Sequence, residues 1–287
     1  MEGLAALEAF NGTVSPLLYG FGIAAIIAET VYMARTHAGR DIGSRRLGVK
    51  CGALAFGAEG VFYATGLLAI QAWVYEHRLF DLGLHWWVWV LTFVINDLMF
   101  YVSHRLQHRC RFLWAVHVVH HSPKHYDLTT GIRGSVLGFA VTFPFYAWIP
   151  ILGIHPLVVL IVDKLFKFYG LAYHTEYVRK LGWVDRFLVT PSNHRVHHAT
   201  NPQYLDRNYG GFFILFDRLF GTFVPEEQPC TYGLVKDWDG RELWDCQFHE
   251  LRDLWRDVRS ADALGDKLRH VWKPPGWKPN PRAQALA

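Results

Sequence analysis

WWVWVLTFVINDLMFYV, residues 86–102, is an apolar run that only Thr92, Asn96 and Asp97 interrupt. Runs of similar character occupy residues 17–34, 51–74, 136–154 and 157–172. Each approaches the roughly 20 residues that cross a bilayer as a helix, and a buried helix of a soluble protein seldom stays so apolar for so long. With 51% hydrophobic and 16% aromatic residues, the 287-residue chain is also not intrinsically disordered. The sequence therefore predicts an all-α, multi-pass membrane protein.

Basic residues are concentrated in alternate connections between these runs. The first connection carries Arg35, Arg40, Arg45, Arg46 and Lys50, whereas the second, at residues 75–85, has only Arg78. The third is again basic, the fourth is not, and the residues after the fifth run are basic. Because positive charge accumulates on the cytoplasmic side, this alternation predicts an external N-terminus and a cytoplasmic C-terminal part.

The fifth run contains Asp163, Lys164 and Lys167, and charges in the middle of a membrane are unfavourable. Asp163 and Lys167 are four residues apart and could pair on one face of a helix. Alternatively, residues 136–172 form a hairpin that enters and leaves the membrane on the same side. The prediction is therefore four to five spans or re-entrant helices with a histidine-rich cap on the cytoplasmic face.

Eight of the 16 histidines fall in three short clusters: His104 and His108; His117, His120 and His121; and His194, His197 and His198. Residues three or four apart share a helix face, so each cluster directs two or three imidazoles to one region. Three such clusters on one predicted membrane face indicate a metal site rather than solvated histidines. The four cysteines contain no Cys-x-x-Cys pair, which argues against a thiolate zinc site.

The number of histidines bears on the kind of metal site. A hydrolytic zinc site uses three protein ligands and a water, and the clusters hold more than twice that number, which favours two ions. Imidazole suits zinc, copper and iron, so the spacing alone does not choose among them.

These motifs carry a family resemblance. HRLQH at 104–108, HVVHHS at 117–122 and NHRVHH at 193–198 resemble the fatty acid hydroxylase / sterol desaturase superfamily. Further matches are Leu128-Thr129-Thr130, His174-Thr175-Glu176, Asn208-Tyr209-Gly210-Gly211 and residues 217–223. The resemblance covers roughly residues 90–225, and the segments around His174 and Asp217 are most similar to the alkylglycerol monooxygenase branch.

The resemblance implies a membrane-bound di-iron oxygenase that hydroxylates or desaturates an alkyl chain of a lipid. Two iron ions and dioxygen are implied, with electrons from a separate donor, either a ferredoxin or cytochrome with its reductase or a reduced pterin; no nucleic acid is involved. The implied ligands are His104, His108, His117, His120, His121, His194, His197 and His198, with His174 as a ninth. Asp97, Asp127, Asn208 and Asp217 are the candidates for supporting these ligands.

The apolar runs, the resemblance and the composition together divide the chain. They predict a transmembrane region at residues 1–90, a catalytic domain with the histidine clusters at 91–225 and a polar cytoplasmic tail at 226–287. The membrane would be a bacterial inner membrane or the endoplasmic reticulum.

Two departures from the alkylglycerol monooxygenase pattern concern charge. Arg109 stands where an acidic residue follows the first histidine pair, which disfavours a pterin; with Arg105 and Arg111 it could instead attract an acidic electron carrier. Asp127 stands where many relatives have asparagine, either supporting an imidazole or lying in a solvated turn. Asp97 could likewise accept a hydrogen bond from an imidazole or, with Asn96, join two helices, and Asn208 could serve only a turn.

Two other functions compete. A membrane zinc hydrolase acting on lipid esters would need a glutamate beside a histidine pair, as in His-Glu-x-x-His, and no cluster has one. A non-catalytic lipid or metal carrier of the same fold would be favoured by loss of a cluster, and all clusters are intact.

Overall fold

The computed structural model describes residues 2–36, 42–236 and 238–279, so Arg40 of the first basic connection lies outside it. Within these residues every regular element is a helix, and the only strand-like contact is an isolated β-bridge between Leu188 and Phe213. The all-α prediction is confirmed.

The first three apolar runs form the longest helices. These are α1 (Glu2–Thr36), α2 (Ile42–Phe62), which continues through a π-helical turn at Tyr63–Leu67 into α3 (Leu68–Glu76), and α4 (Trp86–Arg109). The segments Leu4–Thr36, Ile42–Glu76 and Trp86–Arg109 are long and apolar enough to cross a membrane.

The remaining helices are shorter. They are α5 (Arg111–His121), α6 (Leu128–Ile132), α7 (Gly138–Tyr146), α8 (Pro156–Ala172), α9 (Pro191–His198), α10 (Leu215–Leu219), α11 (Leu243–Ser260) and α12 (Leu264–Trp272). Short 3₁₀ turns occupy Ile149–Leu152 and Val184–Arg186.

The chain turns at Gly153 between α7 and α8, and both helices pack against α4. Gly153 has a φ of +89°, and a Cβ at this position would collide with the carbonyl oxygen of Phe80, so only glycine fits. The amide of Leu79 donates to the carbonyl oxygen of Ile151 at 2.7 Å. The turn therefore lies beside the connection between α3 and α4, and α8 returns from there to His174.

Asp163 and Lys167 of the fifth run form an ion pair, as the first of the two sequence interpretations predicted. Lys167 lies 2.9 Å from Asp163, one turn earlier on α8, and also contacts Glu59 of α2. The ion pair thus joins two helices of the apolar bundle.

Close backbone packing fixes α6 against α2. A Cβ at Gly52 would lie 2.8 Å from the carbonyl oxygen of Ile132, and one at Gly48 would lie 3.1 Å from that of Thr129. The two glycines let α6 approach α2 closely, and α6 in turn lies beside the histidines of α5 and His174.

Candidate metal centre

Nine histidines lie together where α4, α5 and α9 meet the end of α8. In each of two groups, one nitrogen per ring lies within 4.8 Å of the others. The first group is His104, His108, His117, His121 and His197; the second is His120, His174, His194 and His198. All nine residues that the sequence analysis selected are brought together, including His174. Among the described residues, the other histidines belong to neither group, and His37 lies outside the described residues.

Local sequence explains how two helices deliver the first group. The chain leaves the α-helical conformation at Cys110, where φ is −123° and ψ is 120°, so α4 and α5 form a hairpin. His104 and His108 lie on one face of α4, and His117 and His121 on one face of α5. His120 points to a different side of α5, because successive helical residues are about 100° apart, and it enters the second group.

The short helix α9 supplies histidines to both groups. Its N-terminus is capped by Thr190, whose hydroxyl accepts from the amide of Asn193 at 3.5 Å, and Pro191 occupies its first position. His194 and His198 lie four residues apart in the second group, while His197 belongs to the first.

Backbone carbonyls fix the orientation of three rings, one each from α4, α9 and the end of α8. The Nδ1–H groups of His104, His197 and His174 donate to the carbonyl oxygens of Tyr209, Arg207 and Gly170, at 2.9, 3.0 and 2.6 Å. A carbonyl can only accept, so Nδ1 carries the proton and Nε2 presents a lone pair. These three Nε2 atoms face the interior of their groups.

The inward-facing nitrogens are close together. In the first group, Nε2–Nε2 distances are 3.0 Å for His104–His117, 3.1 Å for His117–His121 and 3.1 Å for His121–His197. In the second they are 3.3 Å for His174–His120, 3.0 Å for His194–His174 and 3.2 Å for His198–His194.

Proton sharing does not satisfy this arrangement. A ring has at most one Nε2 hydrogen, and the Nε2 atoms of His104 and His197 have none. His117 can donate its Nε2 hydrogen to His104 and His121 can donate its own to His197. No hydrogen is then left between the Nε2 atoms of His117 and His121. The Nε2 atom of His108 is buried without a hydrogen-bond partner among the described residues. A cation in each group would satisfy the converging lone pairs, so the donor set fits metal ions.

Burial keeps these imidazoles in the form that binds metal. It lowers the pKa of His120 to about 4, and it lowers the pKa of His117, His121, His174, His194, His197 and His198 well below the ordinary value, with neighbouring histidines adding to the effect. Metal ligation requires neutral imidazole, so the rings are ready ligands at neutral pH.

Asp97 and Asp217 hold a loop rather than an imidazole. Asp97 accepts from the amides of Phe212 and Phe213 at 2.8 and 3.0 Å, and Asp217 accepts from those of Tyr209 and Gly210 at 2.8 and 2.7 Å. The predicted hydrogen bond from an imidazole to Asp97 is therefore not among the contacts of Asp97. The two carboxylates act one step away, because they position the Tyr209 carbonyl that orients His104.

Asn208 fixes another part of the same loop. Its side-chain amide donates to the carbonyl oxygens of Asn193 and Val224, and its oxygen accepts from the amide of Val224. These bonds hold Asn208 at a φ of +54°, which is uncommon for a residue other than glycine. Asn208 thus ties the loop to α9 beside His194.

Sequence reasoning missed Asp206. Its carboxylate lies 3.5 Å from Nδ1 of His108, and its φ of +58° is also left-handed. Burial raises its pKa, but His108 and Arg109 stabilise the carboxylate, and the net shift is downward. Its position two residues before Asn208 was the only available signal.

Asp127 is neither a support for an imidazole nor a solvated turn residue. It is buried, it caps α6 by accepting from the amide of Thr129 at 2.8 Å, and its other oxygen lies 2.8 Å from Arg45. Arg45 also lies 3.4 Å from Glu29 of α1, which accepts from the hydroxyl of Thr175 at 3.3 Å. This network joins α1, α2 and α6 next to His174.

The basic group predicted at the end of α4 is smaller than expected. Arg111 is buried and pairs with Glu250 and Asp257 at 2.8 and 2.6 Å. Arg105 donates to the hydroxyl of Tyr101 at 3.2 Å, and Arg109, about half exposed, lies 4.0 Å from Asp206. Arg111 is therefore unavailable to an electron carrier.

The fold and the two groups define a class of protein, the helical membrane proteins with histidine groups that could hold metal ions. Residues 89–222 match the model of the fatty acid hydroxylase family, so this part of the chain is a fatty acid hydroxylase domain. The three candidate spans agree with an integral membrane protein of this family, and the histidine groups could bind metal.

Curated relatives agree with this assignment. The chain is 38% identical over 223 residues to an alkylglycerol monooxygenase of Danio rerio, covering 76% of this chain and 50% of that protein. It is 34% identical to an alkylglycerol monooxygenase of Homo sapiens, with coverages of 76% and 49%. An ornithine lipid hydroxylase of Rhizobium tropici is 31% identical, with coverages of 50% and 43%. The chain spans about half the length of these relatives. No solved structure matches it.

Proposed function

We propose that the chain is a di-iron oxygenase that hydroxylates, or desaturates, an alkyl chain of a membrane lipid with dioxygen and external electrons. The observation that carries this proposal is the division of nine buried imidazoles into a group of five and a group of four, with lone pairs converging in each. Supporting it, the relatives named above include lipid monooxygenases and a lipid hydroxylase.

Each group would hold one iron ion. His104, His108, His117, His121 and His197 would bind the first, and His120, His174, His194 and His198 the second. When bound, iron supplies the activation of dioxygen that amino-acid side chains cannot provide. The carbonyls of Tyr209, Arg207 and Gly170 keep three of the ligand rings in the binding tautomer.

The surrounding side chains would exclude water. Tyr126, Tyr173 and Tyr209 are buried against the imidazoles, with ring centroids 4.3–5.3 Å from their nearest histidines. A dry site protects a reactive oxidant and favours an apolar substrate.

A groove of about 680 Å³ between α1 and the end of α8 is the proposed approach for the lipid. It is lined by Ala25, Ala28, Glu29, Tyr32, Leu128, Ala172, Thr175 and Tyr177. Its walls are mainly apolar, its size is that of a small-molecule site, and Thr175 adjoins His174. An Ala28→Trp variant should lower turnover of lipid while iron content stays unchanged, and Gly57→Trp on the open face of α2 is the matched control.

The site is proposed to face the cytoplasm of a bacterial inner membrane or of the endoplasmic reticulum, with the 1–90, 91–225 and 226–287 division of the chain. The basic connections support this side. Arg45 pairs with Asp127 next to the centre, so the start of α2 and the residues after His174 should share one side. Cysteine labelling at Arg46 and Lys180, both exposed, tests this: labelling from opposite sides would refute it.

The decisive experiment combines metal analysis with product analysis. The full chain is purified in lipid nanodiscs, its metals are counted, and lipid extracts with and without active protein are compared for a gain of one oxygen. Two irons per chain and the oxygenated lipid are expected. One zinc with cleaved esters would favour the hydrolase, and no stoichiometric metal would favour the carrier.

A further inference from the structure

Helices α11 and α12 each present an apolar stripe whose tryptophans are exposed among the described residues. On α11 the stripe is Trp244, Phe248, Leu251 and Trp255, and on α12 it is Leu264, Leu268 and Trp272. The spacings of three and four residues place each set on one side of its helix. Trp255 is 63% exposed and Leu264 is 71% exposed. Five of the seven side chains are exposed, and Phe248 and Leu251 are partly buried. Five exposed apolar side chains on two adjacent amphipathic helices exceed the scattered apolar residues of an ordinary surface.

Both helices pack against the ends of candidate membrane spans. Cys246 of α11 lies 3.9 Å, sulfur to sulfur, from Cys51 in the first half of α2, and Gln247 accepts from the amide of Val136 just before α7. Lys273 directly follows α12, and its carbonyl oxygen accepts from the amide of Arg111, which lies two residues after the end of α4. The two helices therefore lie at the level where the apolar helices end.

The charges on the two helices are sorted by sign. Glu250 and Asp257 point inward to Arg111, and Asp266 is buried. The outward charges are mainly basic: the side chain of Arg256 is 74% exposed, against 19% for its partner Asp253. Basic side chains next to an exposed tryptophan stripe are typical of a helix at a membrane surface.

We propose that α11 and α12 lie along the surface of the same membrane that the long helices enter. The stripes enter the boundary between headgroups and acyl chains, where tryptophan is favoured, and the arginines contact lipid phosphates. The occupant of this face is thus lipid, including anionic lipid, rather than a protein. Because α11 packs along α5, the contact also fixes the histidine-bearing helix relative to the membrane.

Site-directed spin labelling tests the proposal on the full chain in nanodiscs of phosphatidylcholine and phosphatidylglycerol. Cys230→Ser provides the background, since the other three cysteines are buried. Labels replace Trp255 and Leu268 in turn, and the control label replaces Arg256, the exposed neighbour beside the α11 stripe. Collision rates with oxygen, which partitions into lipid, and with a water-soluble nickel chelate are then compared.

Labels at 255 and 268 should collide more with oxygen than with nickel, and the label at 256 should show the reverse. Nickel collisions at 255 and 268 equal to those at 256 would place the stripes in water and overturn the proposal. Low collision rates with both reagents would reveal a covering protein, either a second copy or a partner, and would overturn it equally. The replaced side chains are exposed, and unchanged circular dichroism verifies that each labelled chain is folded.

Discussion

The carbonyl oxygen of Tyr209 accepts the Nδ1 proton of His104 at 2.9 Å, and this one bond decides which nitrogen of His104 faces the other imidazoles. The position of the carbonyl depends in turn on Asp97 and Asp217, which bind four successive or nearby amides of the same loop. Two buried carboxylates thereby control the orientation of an imidazole that they do not contact.

Asp97→Asn should therefore weaken iron binding or activity by roughly 10–100-fold. An asparagine presents one acceptor and one NH₂ group, so it cannot accept from the amides of both Phe212 and Phe213. Iron affinity and turnover are measured beside Asp239→Asn, an exposed control. Wild-type values for Asp97→Asn would mean that the loop holds its position without the carboxylate.

His197→Ala and His120→Ala should each abolish oxidation and lower the iron content, because each removes an imidazole from one group. Iron is counted by mass spectrometry after purification. His249→Ala, which removes a histidine stacked on Trp238 outside both groups, should bind iron normally. Full iron content and activity in His197→Ala would refute the di-iron assignment.

Gly131→Ala should impair the second group selectively. A Cβ at this position would lie 3.0 Å from Nδ1 and 3.1 Å from Cγ of His174, so the ring must shift away from its partners. The expected result is loss of about one of two irons per chain. Gly57→Ala, where nothing lies within 4 Å, is the matched helical control, and two retained irons in Gly131→Ala would contradict the geometry.

The iron-free protein should lose stability as the pH falls below about 6.5, the ordinary histidine pKa. Burial lowers the pKa of His117, His120, His121, His174, His194, His197 and His198 in the folded state. Below pH 6.5 these histidines are therefore protonated in the unfolded chain but remain neutral in the folded chain, and protonation favours unfolding. Denaturant unfolding in detergent between pH 8 and pH 5 measures this. Constant stability throughout would show that the rings are not desolvated.

Arg109 should influence the electron source. It is the half-exposed basic residue next to His108, and an acidic redox protein should support turnover better than tetrahydrobiopterin. The rate with the protein donor should fall steeply with salt, since exposed charges are screened over about 10 Å at 0.1 M. Arg109→Glu should slow that donor. Full turnover with tetrahydrobiopterin alone, undiminished in Arg109→Glu, would refute this.

The three long apolar helices and eight of the nine histidines were predictable because both follow local patterns, apolar runs and offsets of three or four residues, whereas His174 was expected only from the family resemblance. The division into groups was less accessible, since adjacent His120 and His121 enter different groups. The contacts of the carboxylates could not be predicted because they join residues far apart in the sequence. Asp97 accepts from amides 115 and 116 positions away, and Arg45 forms an ion pair with Asp127 across the bundle. The α11 and α12 helices lay in a segment that composition alone marked as a polar tail.

Both histidine groups draw on α5 and on α9, and this has a consequence for biosynthesis. During translation, the ribosome has synthesised the three long helices and four of the five histidines of the first group before it reaches residue 125. His197 has not yet been synthesised at that point. The second group likewise waits for His194 and His198. The first group is complete only after residue 197 and the second only after residue 198, so the proposed iron ions can be fully coordinated only after the three long apolar helices have been synthesised.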